Sequence, residues 1–229
     1  MSKKRKLTFI NDGYYHIYNR GIDRRVTYTN KREYQRMLNL LSFYQYRTIP
    51  IRYSRFAEAK EDIRQNYYEQ MKESGKIIEV IAYCFMPNHF HLLLKQREES
   101  GIATYTANVV NAYTKYFNKK YQRTGSLFQG VFKAVYVETD EQLVHLVRYI
   151  HLNPVASSLI LQEQLDTFPW SSHSLYVNLA NNDLIEHKTS TMIKKIVPDY
   201  EVFIKDQISY AKELEKIKHM TFEHERVQA

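Results

Sequence analysis

Two imidazoles one residue apart, His89 and His91, are the first pair in this sequence whose spacing suggests chemistry. They lie in Phe90-containing Met86–Leu94, an apolar run in which Phe90, Leu92 and Leu94 alternate with His89, His91 and Leu93. That alternation reads as a strand, and side chains two apart on a strand point to the same face. Both imidazoles therefore face one way and Phe90 faces the core. Two imidazoles on one face can ligate a single cation through one ring nitrogen each. They can equally be two polar residues on the wet face of a half-buried strand. Imidazole alone would suit Zn, Cu, Fe or Ni as well as Mn. The second candidate is Tyr149. Leu143, Leu146, Val147 and Ile150 recur at helical spacing, and Tyr149 lies to one side of that stripe, about 60° from Leu146 on a helical wheel. His145 and Asn153 are four residues either side of it on roughly the same face. A tyrosine at a helix flank commonly packs with its hydroxyl in water. A phenol is a weak nucleophile at neutral pH, and it gains when a metal polarises the phosphate it attacks. Asn153 would add a side-chain oxygen to such a metal.

The elements that must position these groups are legible in outline. Tyr14 to Asn19 is aromatic and alternating, a strand ended by Arg20-Gly21. Asn30 caps a helix running to about Tyr46, and residues 54–73 read as a charged helix. Lys76 to Met86 and His89 onward form a hairpin about Pro87-Asn88. A helix over 104–121, a strand over Val131 to Glu138, and a helix capped by Asp140 follow. That last helix is expected to stop at Asn153-Pro154. The order is strand, helix, strand, strand, helix, strand, helix, and its first six elements are the ferredoxin-like split βαβ plan of the α+β class, an antiparallel sheet covered by helices on one face and open on the other. Phe168 to Ser172 reads as a packed loop, and residues 183–197 and 199–218 as helical. The expected division is residues 1–178 for the catalytic domain and 179–229 for a helical extension.

Composition narrows the partners. The chain has 229 residues, enough to bury a core unaided, and one cysteine, Cys84, so no internal disulfide forms. That cysteine usage fits a reducing, cytoplasmic setting. No apolar run approaches the length of a membrane span, and no apolar signal core follows the basic start Met1 to Lys6. A net charge of +8 with 20 tyrosines and 11 phenylalanines suits a partner that is a polyanion with unpaired bases. Arg20, Arg24, Arg25, Lys115, Lys119, Lys120, Arg123 and Lys133 are candidate phosphate contacts, with Tyr116 and Tyr121 as stacking platforms. Gly-rich phosphate loops, zinc-finger cysteines and the Gly-X-Ser-X-Gly elbow are all absent.

Met86 to Leu94 resembles the histidine-hydrophobe-histidine strand of HUH nucleases, and Arg148 to Val155 resembles their catalytic tyrosine helix. More closely, the chain is similar to REP-associated tyrosine transposases, relatives of the single-tyrosine insertion-sequence transposases. Tyr15 to Gly21, Tyr113 to Asn118, Arg123 to Gly130 and Pro169 to Ser172 carry the same likeness, which spans about residues 14–175. The resemblance implies that His89 and His91 ligate Mg²⁺ or Mn²⁺ and that Tyr149 forms a 5′-phosphotyrosine link, freeing a 3′-hydroxyl. It implies single-stranded DNA with short hairpins, notably REP elements, as substrate. Insertion-sequence relatives often carry Gln four residues after the tyrosine, where this chain has Asn153 followed by Pro154; His145 or a water are the other candidates for that position. Relatives act as monomers or as dimers with shared sites. Two other readings compete: a non-catalytic nucleic-acid-binding module on the same fold, and a metal-binding structural protein or hydrolase using the two histidines with a carboxylate.

Overall fold

The computed structural model describes residues 8–178, 183–185 and 187–206. Four strands form one sheet: β1 (Tyr14–Arg20), β2 (Ile78–Met86), β3 (His89–Gln96) and β4 (Lys133–Val137). Their spatial order is β2-β3-β1-β4, and all three pairings are antiparallel. Helix α1 (Lys31–Tyr44) joins β1 to β2 through two shorter helices, α2 (Tyr53–Glu58) and α3 (Glu61–Glu73). Helix α4 (Gly101–Lys120) joins β3 to β4, and α5 (Asp140–Ala156) follows β4. The split βαβ plan expected from the sequence is the plan observed. The charged stretch expected as one helix is two, because Ala59 and Lys60 take extended backbone, with ψ of 154° and 156°.

Alternation along the strands sorts the side chains into two faces. Tyr15, Ile17 and Asn19 of β1 and Phe90, Leu92 and Leu94 of β3 are buried on one face. α1 and α4 pack together there, filling it with Leu40, Leu41, Tyr105, Tyr113 and Phe117. Two phenols buried in this layer find acceptors, as most buried hydroxyls do: Tyr105 donates to Leu41 O at 3.2 Å and Tyr113 to Thr27 O at 2.5 Å.

The opposite face is not left open. α5 lies across it, packed on β2 and touching β3 and β4, so Ala82, Cys84 and Leu93 are also fully buried. The reason is the apolar stripe of α5, whose Leu143, Val147 and Ile150 need a surface to cover. The N-cap of α5 is Thr139, one residue earlier than expected, its hydroxyl accepting from Gln142 N at 3.1 Å. Nor does the helix end at Pro154. It runs to Ala156, with Ser157 N bonding Asn153 O at 3.0 Å, because a proline in the last turn removes a single hydrogen bond and leaves the turn that follows intact.

The loop over 168–172 does more than pack. Phe85 N donates to Trp170 O at 2.9 Å and Ser172 N to Tyr83 O at 3.0 Å, so this segment pairs with the outer edge of β2. An edge strand presents unpaired backbone groups, and here they are satisfied by the chain itself. Beyond it lie α6 (His173–Asn178), not anticipated from sequence, α7 (His187–Ile196) and α8 (Tyr200–Lys205). The expected helix over 199–218 is thus seen as α8, and its remainder lies outside the described residues, as does the basic start at residues 1–7. Among the described residues no helix is long and apolar enough to cross a membrane.

Candidate active site: a histidine pair beneath a helical tyrosine

The site is built on the face of the sheet that α5 crosses. In register, Arg20 of β1 stands opposite His89 and Tyr18 opposite His91. Tyr18 in turn pairs with Lys133 of β4, whose ammonium lies 5.9 Å from the Tyr18 ring. Consequently Arg20 and Lys133, two of the cations singled out in the sequence, share the face of the histidines, on the next strand and the one beyond it. His89 and His91 meet with ring centroids 5.0 Å apart, nearly perpendicular. The expectation that the two imidazoles share a face holds.

Tyr149 reaches the same place from above. Its ring is 5.5 Å from that of His91 and 6.1 Å from that of His16, edge-on to both. It is 36% exposed, so the phenol edges the core while solvent still reaches it. The three groups therefore assemble within one chain. Asn153, one helical turn on, is buried, and its amide nitrogen makes a long 3.5 Å contact to Tyr149 O. His145, one turn before, is turned away: Arg148 donates to its Nδ1 at 2.7 Å and its ring lies 5.9 Å from Phe203.

Sequence reasoning missed His16. It sits diagonally across from His91 on the neighbouring strand, a placement within reach of long side chains. Its Nε2 lies 2.9 Å from His91 Nδ1, and the two rings stack at 5.1 Å. The alternation Tyr14, His16, Tyr18, Arg20 could have placed it on the site face, but only the strand register brings it to His91.

The donor set fits a divalent cation. Each imidazole has Nδ1 engaged, His89 with Asn88 Oδ1 at 2.6 Å and His91 with His16. When Nδ1 is the donor in each contact, Nε2 carries the lone pair that a cation needs, an arrangement in which outer partners set ring orientation and tautomer. Cys84 stands opposite His91 in register, yet burial pushes its thiol up, so it stays a protonated packing residue. Among the described residues no cluster of three or more His, Cys, Asp or Glu could hold a metal.

The remaining cations divide by layer. Arg24 and Arg25 are exposed in the turn after β1, where Asp23 and Arg24 take left-handed backbone (φ 54° and 57°). Gly21 at the start of this turn is irreplaceable on steric grounds, since a Cβ there would lie 2.3 Å from Arg25 O. Lys115, Tyr116, Lys119 and Lys120 are on α4, on the far side of the sheet from the histidines. Lys115 and Lys119 are exposed. Tyr116 is covered by the Arg36 guanidinium at 5.0 Å. Lys120 donates to Glu33 at 2.7 Å, as does Tyr121 at 2.6 Å, so both are committed to a fully buried carboxylate. Arg123 is half-buried and donates to Asn118 Oδ1 at 2.9 Å.

The histidine pair thus lies beneath a helical tyrosine, on an antiparallel sheet in split βαβ order. The family described as IS200-like transposase matches residues 10–153, well over half of the chain, and the chain belongs to that family. Its fold is similar to that of a REP-associated tyrosine transposase solved bound to a REP hairpin, with a TM-score of 0.53 and 16% identity over 82% of this chain and 90% of that one. Among curated protein sequences none matches.

Proposed function

We propose that this protein is a metal-dependent endonuclease and strand transferase acting on single-stranded DNA with hairpins of the REP type. The observation that carries the reading is the placement of Tyr149 beside His91 in its own chain, with ring centroids 5.5 Å apart. Tyr149 Oη attacks a backbone phosphorus, the Tyr149 O–P bond forms, and the P–O3′ bond breaks. The phenolic proton leaves to water, which reaches the partly exposed ring, and the departing 3′ oxygen takes up a proton. Reversal with a second 3′-hydroxyl as nucleophile reseals or transfers the strand. His89 and His91, with Asn153 as a third donor, would hold Mg²⁺ or Mn²⁺, which when bound polarises the phosphate and offsets the charge that develops on it. Arg20 and Lys133, on the two successive strands beyond the histidines, orient the phosphate backbone. Because tyrosine and histidines belong to one chain, a monomer is competent for cleavage. Residues 1–178 carry this chemistry, and 179–229 are an extension whose described part braces α5. A nicking assay on hairpin-bearing single strands tests the reading. The wild type cuts with Mn²⁺ and not with EDTA, and Tyr149→Phe binds the same strand without cutting it. Undiminished cutting by Tyr149→Phe overturns the assignment.

A further inference from the structure

Asn88 occupies the tight turn between β2 and β3, and its side-chain amide faces two partners at once. Nδ2 is 3.2 Å from Arg24 O, and Oδ1 is 2.6 Å from His89 Nδ1. A main-chain carbonyl only accepts, so the atom facing Arg24 must be the amide nitrogen. The amide oxygen then faces the imidazole, and it too only accepts. Nδ1 of His89 must therefore carry a proton, and in the neutral ring Nε2 carries the lone pair. This deduction needs no cation.

The surroundings make the amide hard to flip. Its own turn is clamped to the segment after β1: Gly21 N donates to Asn88 O at 2.8 Å, and Thr27 N and Tyr28 N donate to Pro87 O at 2.8 and 3.1 Å. Arg24 O is held in place by the left-handed turn at Asp23 and Arg24. The carbonyl that dictates the amide's orientation is thus supplied by a turn with two successive left-handed residues.

We propose that Asn88 is a positioning residue that locks His89 in its Nδ1–H tautomer, through an amide whose orientation the backbone of the arginine-bearing turn dictates. The use of this tautomer, to present Nε2 to a cation, rests on the function proposed above; the tautomer itself does not. Long-range ¹⁵N–¹H NMR of histidine-labelled full chain, without cation at about pH 8, where an ordinary imidazole is neutral, reads it directly. The wild type gives His89 as the Nδ1–H form. Asn88→Ala gives a mixture of the two tautomers. Asn88→Asp, whose carboxylate accepts from Nδ1 in either orientation although it offers Arg24 O no donor, keeps the wild-type signature. In a parallel calorimetric titration with Mn²⁺, affinity falls about tenfold or more in Asn88→Ala and stays within about threefold in Asn88→Asp. Wild-type His89 protonated on Nε2 alone, a tautomer unchanged in Asn88→Ala, or loss of the Nδ1–H signature in Asn88→Asp overturns the proposal; the wild-type spectrum and Asn88→Asp decide it even if Asn88→Ala does not fold. A tautomer that changes while Mn²⁺ affinity does not supports Asn88's role and instead removes His89 from the cation site.

Discussion

Lys119 and Lys120 are neighbours in sequence and look alike as candidate DNA contacts, yet the structure assigns them opposite parts. Lys120 donates to Glu33 at 2.7 Å, and Glu33 is fully buried. That carboxylate has four donors: Thr29 N at 2.6 Å, Thr29 Oγ1 at 2.9 Å, Tyr121 OH at 2.6 Å and the Lys120 ammonium. A hydrogen bond to a buried charge contributes about 1.5–3 kcal/mol. The Lys120 side chain is 35% exposed, and solvent screening takes its share to the low end. Lys120→Met should therefore cost about 1–2 kcal/mol, the three remaining donors preventing the larger loss of a wholly orphaned carboxylate. For a chain of this size that is a fall in Tm of roughly 2–8 °C. The same variant should leave the salt dependence of hairpin binding as it was. Lys119→Met should do the reverse, keeping Tm and, if Lys119 meets a phosphate, lowering the log–log salt slope by about 0.7. Thermal melts and fluorescence anisotropy from 50 to 300 mM salt, as rough working limits, make both comparisons. A Lys120→Met protein with unchanged Tm and a shallower salt slope would refute the reasoning.

Acid should weaken the fold through two groups of opposite kind. Burial holds His151, with help from nearby His173, well below the ordinary imidazole range, so below about pH 6.5 the unfolded chain binds a proton the folded one refuses. Stability then declines by up to about 1.4 kcal/mol per pH unit, and the decline is shallower in His151→Asn. For Glu33, burial pushes the carboxyl up, but the bonds from Lys120, Tyr121 and Thr29 outweigh it and leave the group lowered. Its contribution is present above the ordinary glutamate range and is lost as pH falls through the folded value, a second, more acid step that Lys120→Met should diminish. Mixing Tyr149→Phe with a His89→Ala, His91→Ala double variant should restore no cleavage, since each chain carries its own complete set; recovered nicking would mean that sites are shared between chains.

Much of this arrangement is legible in the residue pattern alone. The period-two run through His89 to Leu94 implies the common facing of both imidazoles, and the stripe Leu143, Val147, Ile150 puts Tyr149 at its flank, where the structure has it. What the sequence hid were consequences of pairing between distant segments. His16 matters because β1 and β3 are in a register that sets it diagonal to His91. Asn88 reads as a turn residue, and its second role depends on the carbonyl of Arg24. Lys120 resembles its neighbours until α1 brings Glu33 to it. The expected stop at Pro154 overstated a local rule: a proline in a helix's final turn costs one bond, and burial of His151, bonded to Tyr200 and at 2.7 Å to Ser172, holds that turn from both sides.

If Tyr149 is the nucleophile, its phenol becomes joined to DNA when the histidine site holds a divalent ion. Incubating full-length protein with hairpin-bearing single-stranded DNA, followed by protease digestion and mass spectrometry, examines that bond itself. The expected product is a nucleotide attached through its 5′-phosphate to the peptide containing Tyr149, formed with Mn²⁺ and absent with EDTA or after His89→Ala. A covalent adduct on another residue, or one that forms on Tyr149 equally well in EDTA, would contradict it.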